Sequence, residues 1–327
     1  MVTTFPLISA GWRAAVGWYP EATYGTAVPS VQYYWVGAVQ NLKATIDKNP
    51  IFVYRMNGNT NFPAYLLKGQ RNVDFTITYW PQPLSNTGVL SDLGLLVDDI
   101  NNIGINTVSH SFVIKDFENG NVYTVTGAVA NSVRISGKTG AALEVEITYW
   151  CQNILDGLPT GVTFPNDPGI ATPVCIPFYF SQESIQVPAG TPKAQALTFT
   201  ATITNNLQRV PQFGTDVIRS IPTLTRKADG TLTATYDTID VAGSYGFANE
   251  SKIPYTTAYA DTETAPSGLS QQEISLKLGT LSLPATNYYL NYTGAVLPKI
   301  DLTTPIADLV ALSLDWTATN AAVSLTT

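Results

Sequence analysis

Few residues in this chain are equipped for chemistry. It has one histidine, His110, and two cysteines, Cys151 and Cys175. Nucleophilic hydrolysis needs a Ser or Cys paired with a histidine or an equivalent base. His110 lies in Val-Ser-His-Ser-Phe at the start of an expected strand and reads as a surface or strand-edge residue. One His and two distant Cys cannot supply a tetrahedral zinc set. Asp98-Asp99 and Asp261-Thr-Glu263 offer oxygens, but neither fits the twelve-residue calcium loop with its central Gly and final Glu, so both read as solvated acidic loop positions. No phosphate-cradling glycine motif is present. Two carboxylates alone can run a glycosidase, yet no spacing here singles out a pair. The expectation is a protein with no catalytic residues, no metal and no cofactor. The cysteines allow at most one disulfide and fit free thiols equally well. Asn249 and Asn291 head glycosylation sequons in a chain rich in Asn, Ser and Thr.

The rest of the composition describes a scaffold. The 327 residues include 42 Thr, 17 Tyr and 12 Phe against only 17 basic and 24 acidic side chains. β-branched and aromatic residues suit a pleated, half-buried surface, so an all-β fold is expected, and the apolar fraction of 45% argues against disorder. The net charge of −7, with no Lys/Arg-rich run, leaves no cationic grip for a nucleic acid. No run of eighteen apolar residues marks a membrane helix, and the opening residues lack the basic and apolar regions of a secretory leader.

The chain also repeats itself. Thr126 to Asn153 aligns without a gap to Thr293 to Asn320, beginning with Thr-Gly-Ala-Val in both and matching Val133 to Ile300, Ile135 to Leu302, Leu143 to Val310, Val145 to Leu312, Ile147 to Leu314 and Tyr149 to Trp316. A second pair sets Phe75-Thr-Ile-Thr-Tyr79 against Leu232-Thr-Ala-Thr-Tyr236. The two copies are divided by a proline-rich stretch with Pro159, Pro165, Pro168, Pro173 and Pro177. The expected layout is an N-terminal arm at 1–29, a first β-domain at 30–160, a linker at 161–177, and a second β-domain at 178–327 carrying an irregular insertion at 240–272.

Period-two alternation predicts strands at Leu42–Ile46, Val73–Tyr79, Phe112–Ile114, Tyr123–Val125, Val133–Ile135 and Leu143–Tyr149. In the second copy it predicts Leu197–Ile203, Leu232–Tyr236, Ile274–Leu278, Tyr288–Tyr292 and Leu309–Trp316. Asn119-Gly120 and Asp229-Gly230 read as hairpin turns. A single helix is expected over Ser91–Ile100, capped by Ser91 or Asp92, with Leu93, Leu96, Val97 and Ile100 on one face.

The segment Gly17-Trp-Tyr-Pro-Glu-Ala-Thr-Tyr-Gly-Thr26, with Glu21, Tyr24, Gly25 and Thr26, resembles the N-terminal signature of the two-domain tail tube proteins of tailed viruses. The repeated Thr-Gly-Ala-Val block and the Gly69–Trp80 stretch resemble that family too. The resemblance implies tandem β-sandwich or split-barrel domains whose sheets join side by side into a closed ring β-barrel, and rings that stack into a conduit for the genome. Two tube domains per chain imply a homotrimeric ring with pseudo-six-fold symmetry. The implied partners are other copies of the chain, the tail terminator, tape measure and baseplate or tip proteins of the virion, and double-stranded DNA that passes without specific binding. The implied location is the virion tail, assembled in the host cytoplasm, with no membrane contact.

Within that picture the polar face of the strongest strands is expected to line an acidic lumen, through Asp74, Thr76, Glu144, Glu146, Thr231, Thr233 and Asp315. Ring stacking is expected from Thr3–Pro29, the Asn57–Pro63 loop, the linker and the insertion. The alternative reading is a secreted tandem β-sandwich acting as an adhesin or carbohydrate-binding module.

Overall fold

The computed structural model describes residues 2–5, 14–36, 38–53, 65–81, 92–101, 108–116, 120–163, 178, 183–186, 196–235, 272–279, 287–303 and 311–326. The insertion at 240–271, most of the linker, the 57–63 loop, Ser91, Asn119, Cys175, Tyr236, Asn249 and Leu309 lie outside these residues. Within them the protein is all-β with one helix.

The first part of the chain forms β1 (Val2–Phe5), β2 (Ala14–Pro20), β3 (Tyr34–Trp35), β4 (Ala38–Asp47), β5 (Ile51–Val53), β6 (Tyr65–Leu67), β7 (Asn72–Trp80), α1 (Asp92–Asn101), β8 (His110–Asp116), β9 (Val122–Lys138), β10 (Glu144–Cys151) and β11 (Asn153–Asp156). The second forms β12 (Glu183–Gln186), β13 (Ala196–Thr204), β14 (Val210–Pro211), β15 (Ile218–Ser220), β16 (Lys227–Thr235), β17 (Gln272–Gly279), β18 (Asn287–Thr303), β19 (Ala311–Ala318) and β20 (Asn320–Thr326).

One antiparallel sheet runs through both parts, in the order β4, β7, β10, β9, β13, β16, β19, β18, with β1 added on the outer edge of β4. Two smaller layers hang from its long strands. The first half of β9 carries β8 and β11, with β2 beyond β8, while the first half of β18 carries β17 and β20, with β12 beyond β17. The expected strands Tyr123–Val125 and Val133–Ile135 are therefore two ends of one strand, β9, which serves both layers. A glycine marks the passage in each case: Gly127 and Gly294 have φ of 62° and 63°, and a Cβ on them would collide with Gln152 and Thr319 respectively.

The apolar alternation points where the sequence reading placed it. Val73, Phe75, Ile77, Val133, Ile135, Val145, Ile147, Phe199 and Leu232 are all buried in one core, between the long sheet and the smaller layers. Helix α1 buries Leu96 and Ile100 as expected, and Leu95 as well. Asn101, at its last position, accepts from the Val323 amide (2.7 Å) and donates to the Val323 carbonyl (2.8 Å), tying the helix to β20.

Three local expectations need correction. Asp229-Gly230 is not a turn but lies inside β16, where Gly230 pairs with Ala201 on one side and Trp316 on the other. A Cβ there would strike the Thr200 carbonyl and the Trp316 ring, so the glycine makes room for an indole and its sequence neighbourhood misleads. The strand pairing also gives the second repeat pair a different register once Tyr149 is matched to Trp316. Phe75 stands opposite Tyr149 just as Gly230 stands opposite Trp316, so the counterpart of Leu232 is Ile77. Finally, Ala14–Pro20, inside the expected arm, forms β2, which pairs with β3 and β8 and buries Trp18 completely.

Candidate functional site

The long sheet has a polar face turned away from the core. Strand alternation places Thr76, Glu144, Glu146, Thr231, Thr233 and Asp315 together on it, all half-buried, with Asp74 near one end. One row across the strands reads Glu144, Ser136, Thr200, Thr231, Asp315, Lys299. Hydroxyls pair across it: Thr200 with Thr231 at 2.6 Å, Thr76 with Thr148 at 3.4 Å, and Thr198 with Thr233. Three of the four carboxylates have a cation beside or opposite them. Asp74 holds Arg209 at 2.5 Å, Glu146 stands opposite Arg134, and Asp315 stands opposite Lys299. The face is hydroxyl-rich, with basic residues set among its carboxylates.

The N-terminal motif forms a latch. Glu21 follows β2 and turns its carboxylate inward, where Oε2 accepts from the Gly25 amide (2.8 Å) and Ser109 Oγ (2.7 Å), and Oε1 from Ser111 Oγ (2.6 Å) and the Gly127 amide (2.8 Å). Four donors satisfy one carboxylate, with both serines buried. Gly25 closes the turn at φ 75°, where a Cβ would strike the Gln152 side chain. Tyr24 packs on the cluster of Val129, Leu207, Ile218 and Ile221, and Thr26 bonds back to the Thr23 carbonyl (3.0 Å) while staying exposed. Burial raises the Tyr24 phenol well above its ordinary range. Glu21, Tyr24, Gly25 and Thr26 are thus brought together. Of their partners, Gly127 belongs to the repeated Thr-Gly-Ala-Val block, while Ser109 and Ser111 carry no signal of their own in a chain rich in Ser.

The same region receives a hairpin from the second part of the chain. β14 and β15 pair with each other and lay Arg209 over the Trp150 ring at 4.2 Å from its centroid, and Ile218 and Ile221 against Val129 and Tyr24. Asp216 in the hairpin loop bonds to Lys68 (3.0 Å) and accepts from the Arg71 amide (2.9 Å); that hydrogen bond with Lys68 holds its carboxyl below the usual range. Underneath, β13 and β9 pair from Thr198 opposite Lys138 to Thr204 opposite Ser132. The first part has a hairpin of its own, β5 with β6, whose Ile51, Phe52, Leu66 and Leu67 are each more than half exposed. Isolated exposed apolar residues are ordinary, whereas here four stand together on one small hairpin.

His110 is the clearest miss at the level of single residues. It is fully buried, stacked edge-on to Trp18, with Nδ1 3.5 Å from Asp99 and Nε2 3.7 Å from Asp98. Asp99 is not in a solvated loop but on α1, buried, and accepts from Tyr149 Oη at 2.5 Å. Burial pushes the Asp99 carboxyl up to about 6 and the Tyr149 phenol well above its ordinary value. This buried His-Asp-Tyr group ties the helix to the sheet. Cys151 is a free, buried thiol raised by the same desolvation. Asn291 lies within β18 and accepts from Ser275 Oγ (2.6 Å). Among the described residues no cluster of His, Cys, Asp and Glu could hold a metal, and no helix is long and apolar enough to cross a membrane.

The described residues thus combine a continuous antiparallel sheet, a half-buried polar face on it, and a glutamate latch at the N-terminal motif. The chain belongs to the phage tail tube protein family, whose model matches residues 11–275. No curated protein matched the chain. Membership in this family makes the protein a structural component of a viral tail, and the adhesin or sugar-binding reading is not favoured.

Proposed function

We propose that this protein is the major tail tube subunit of a tailed virus, that three chains form a ring with pseudo-six-fold symmetry, and that stacked rings make the conduit for genome delivery. The observation that carries the proposal is the recurrence of one bonding pattern at both halves of the continuous sheet. Asn153 stands opposite Thr126 and Asn320 opposite Thr293, with the Gln152 amide bonded to the Thr126 carbonyl (3.0 Å) and the Thr319 amide to the Thr293 carbonyl (3.2 Å). Asn49 and Asn206, both at positive φ, donate in the same way to Gln70 and Thr225 at the roots of the two hairpins. Such agreement supports one β-domain written twice, at about 30–160 and 178–327, so that a ring of three chains offers six similar positions.

Each chain brings eight strands to the long sheet, and closing the sheet into a barrel leaves no sticky edge exposed. In that barrel the polar face, with Asp74, Thr76, Glu144, Glu146, Thr231, Thr233 and Asp315, lines the lumen. Duplex DNA is held by clustered cations that neutralise its phosphates. A wall of hydroxyls and charge-matched pairs gives it nothing to hold, so the genome passes as a non-specific partner. Contacts to other rings, and to terminator, tape measure and baseplate or tip proteins, fall to the loops at the barrel ends, in a virion tail put together in the host cytoplasm.

Negative-stain microscopy of the purified protein tests the proposal. Rings or tubes support it, while dispersed single chains would favour the monomeric binding module instead.

A further inference from the structure

The joint that unites the two halves inside one chain has an unused counterpart at each end of the long sheet. Strand β13 joins the second half of β9. Its counterpart in the first half is β4, because Ala44 stands opposite Phe75, and Lys43 opposite Thr76, as Ala201 and Thr200 stand opposite Gly230 and Thr231. Both strands even bulge at the same place, between Val39 and Asn41 and between Ala196 and Thr198. The counterpart of the second half of β9 is the end of β18, since Leu302 faces Leu312 as Ile135 faces Val145. Among the described residues this end of β18 pairs with β19 on one side only, and the edge of β4 holds nothing but the four residues of β1.

We propose that the contact between neighbouring chains copies the joint inside the chain: β4 of one copy pairs antiparallel with the end of β18 of a second copy, and β1 holds that seat until the second copy takes it. This deepens the tail tube reading and rests on it. Carrying the β13–β9 register across puts Asp47 opposite Lys299, Ile46 opposite Ile300, Thr45 opposite Asp301, Ala44 opposite Leu302 and Lys43 opposite Thr303. Two features of that list were not used to build it. An acid meets a base at one end, and two isoleucines meet beside it, both favourable as directly opposed cross-strand pairs.

The exposed hairpin finds its place by the same transfer. Val53 faces Tyr65 as Val210 faces Ser220, so Phe52 and Leu66 occupy the positions of Arg209 and Ile221. Those two residues rest on Trp150 and Val129 of the first half, whose counterparts in the second half are Thr317 and Val296. Phe52 and Leu66 are exposed in the single chain because the surface they fit belongs to the next one. Strand β1 sets Val2 opposite Asp47 and Phe5 opposite Ala44, along the very edge that Lys299 to Leu302 would use. Joining is then a strand exchange, which keeps an adhesive edge covered before assembly.

Engineered cysteines read the register directly. The full-length Thr45→Cys/Asp301→Cys protein, assembled and then oxidised, should run as linked dimers and trimers on denaturing gels without reductant. The Thr45→Cys/Thr303→Cys protein, two residues out of register, should link no more than the Thr45→Cys or Thr303→Cys protein alone, each of which keeps the native Cys151 and Cys175. Assembled rings or tubes that fail to link at Thr45 and Asp301, or that link at the shifted pair, would overturn the proposed joint. A wild-type protein that forms neither rings nor tubes would overturn the tail tube reading beneath it, so the two failures are told apart by microscopy of the untreated sample.

Discussion

Glu21 shows how much one side chain can organise. Its four donors come from the 25 turn, the loop before β8, β8 itself and the bend of β9, so the carboxylate joins segments that are distant in sequence. Replacing it by alanine strands two buried hydroxyls and leaves two amides without their acceptor. Glu21→Ala should therefore cost about 3 kcal/mol or more in chemical denaturation, given roughly 1–3 kcal/mol for each buried group left unsatisfied. A loss below about 1 kcal/mol would show that water replaces the carboxylate. Asp99 makes a pH prediction. Burial holds its carboxyl at about 6 in the fold, against 3.8 in the unfolded chain, with His110, Tyr149 and Asp98 as its ionisable neighbours. Between those values the folded state binds the extra proton, so this group's contribution to stability is present below pH 4 and is lost as pH rises to about 6. Asp99→Asn should gain on the wild type across that window, at up to about 1.4 kcal/mol per pH unit, and hold level above it. A difference that does not change with pH would remove Asp99 from the account. The Glu21 motif could be seen in the sequence through its resemblance to a family signature, although nothing there showed which groups its carboxylate binds. The burial of His110 and Asp99 could not, because an Asp-Asp pair on a short helix looks the same whether it faces water or a core.

At the scale of elements, alternation marked the strands of the long sheet and left their breaks open. Period two is kept on both sides of Gly127, so nothing in the pattern says whether Val122–Lys138 is one strand or two; its partners decide, β8 and β11 at one end and β10 and β13 at the other. Gly230 is the reverse case, since the dipeptide Asp-Gly usually turns a chain and here sits flat between two strands under an indole. Gly230→Ala should destabilise the fold by about 1–3 kcal/mol, the usual cost of overpacking, with the ring of Trp316 displaced. An unchanged melting transition would mean that the sheet spreads without strain at this point. The edges carry their own prediction. Asp47→Lys and Lys299→Asp should each slow or abolish ring formation while leaving the single chain folded, and the double exchange should restore it. If each variant assembles like the wild type, these two positions do not meet. The exposed hairpin gave no sign in the sequence, because Ile51 to Val53 and Tyr65 to Leu67 look like ordinary core strands until burial is measured.

At the scale of the whole molecule, the single long sheet is the central fact. It spends its apolar face on a core shared with the smaller layers and leaves a polar face and two compatible edges for other copies. A repeat that keeps its register across two halves defines a rotation, and applying the same step again at the chain ends leads to another chain. The sequence repeat points the same way, and once Tyr149 is matched to Trp316 the strand pairing sets Phe75 against Gly230 and Ile77 against Leu232. The net charge of −7, with no basic run, pointed to a surface without a cationic grip for DNA. On the polar face Arg209 pairs with Asp74, and Arg134 and Lys299 stand opposite Glu146 and Asp315. The most direct test is a cryo-EM reconstruction of assembled tubes. The account predicts three chains per ring, one continuous inner sheet, and Thr76, Glu144, Glu146, Thr231, Thr233 and Asp315 facing the axis. Six chains per ring, or those side chains pointing away from the axis, would contradict it.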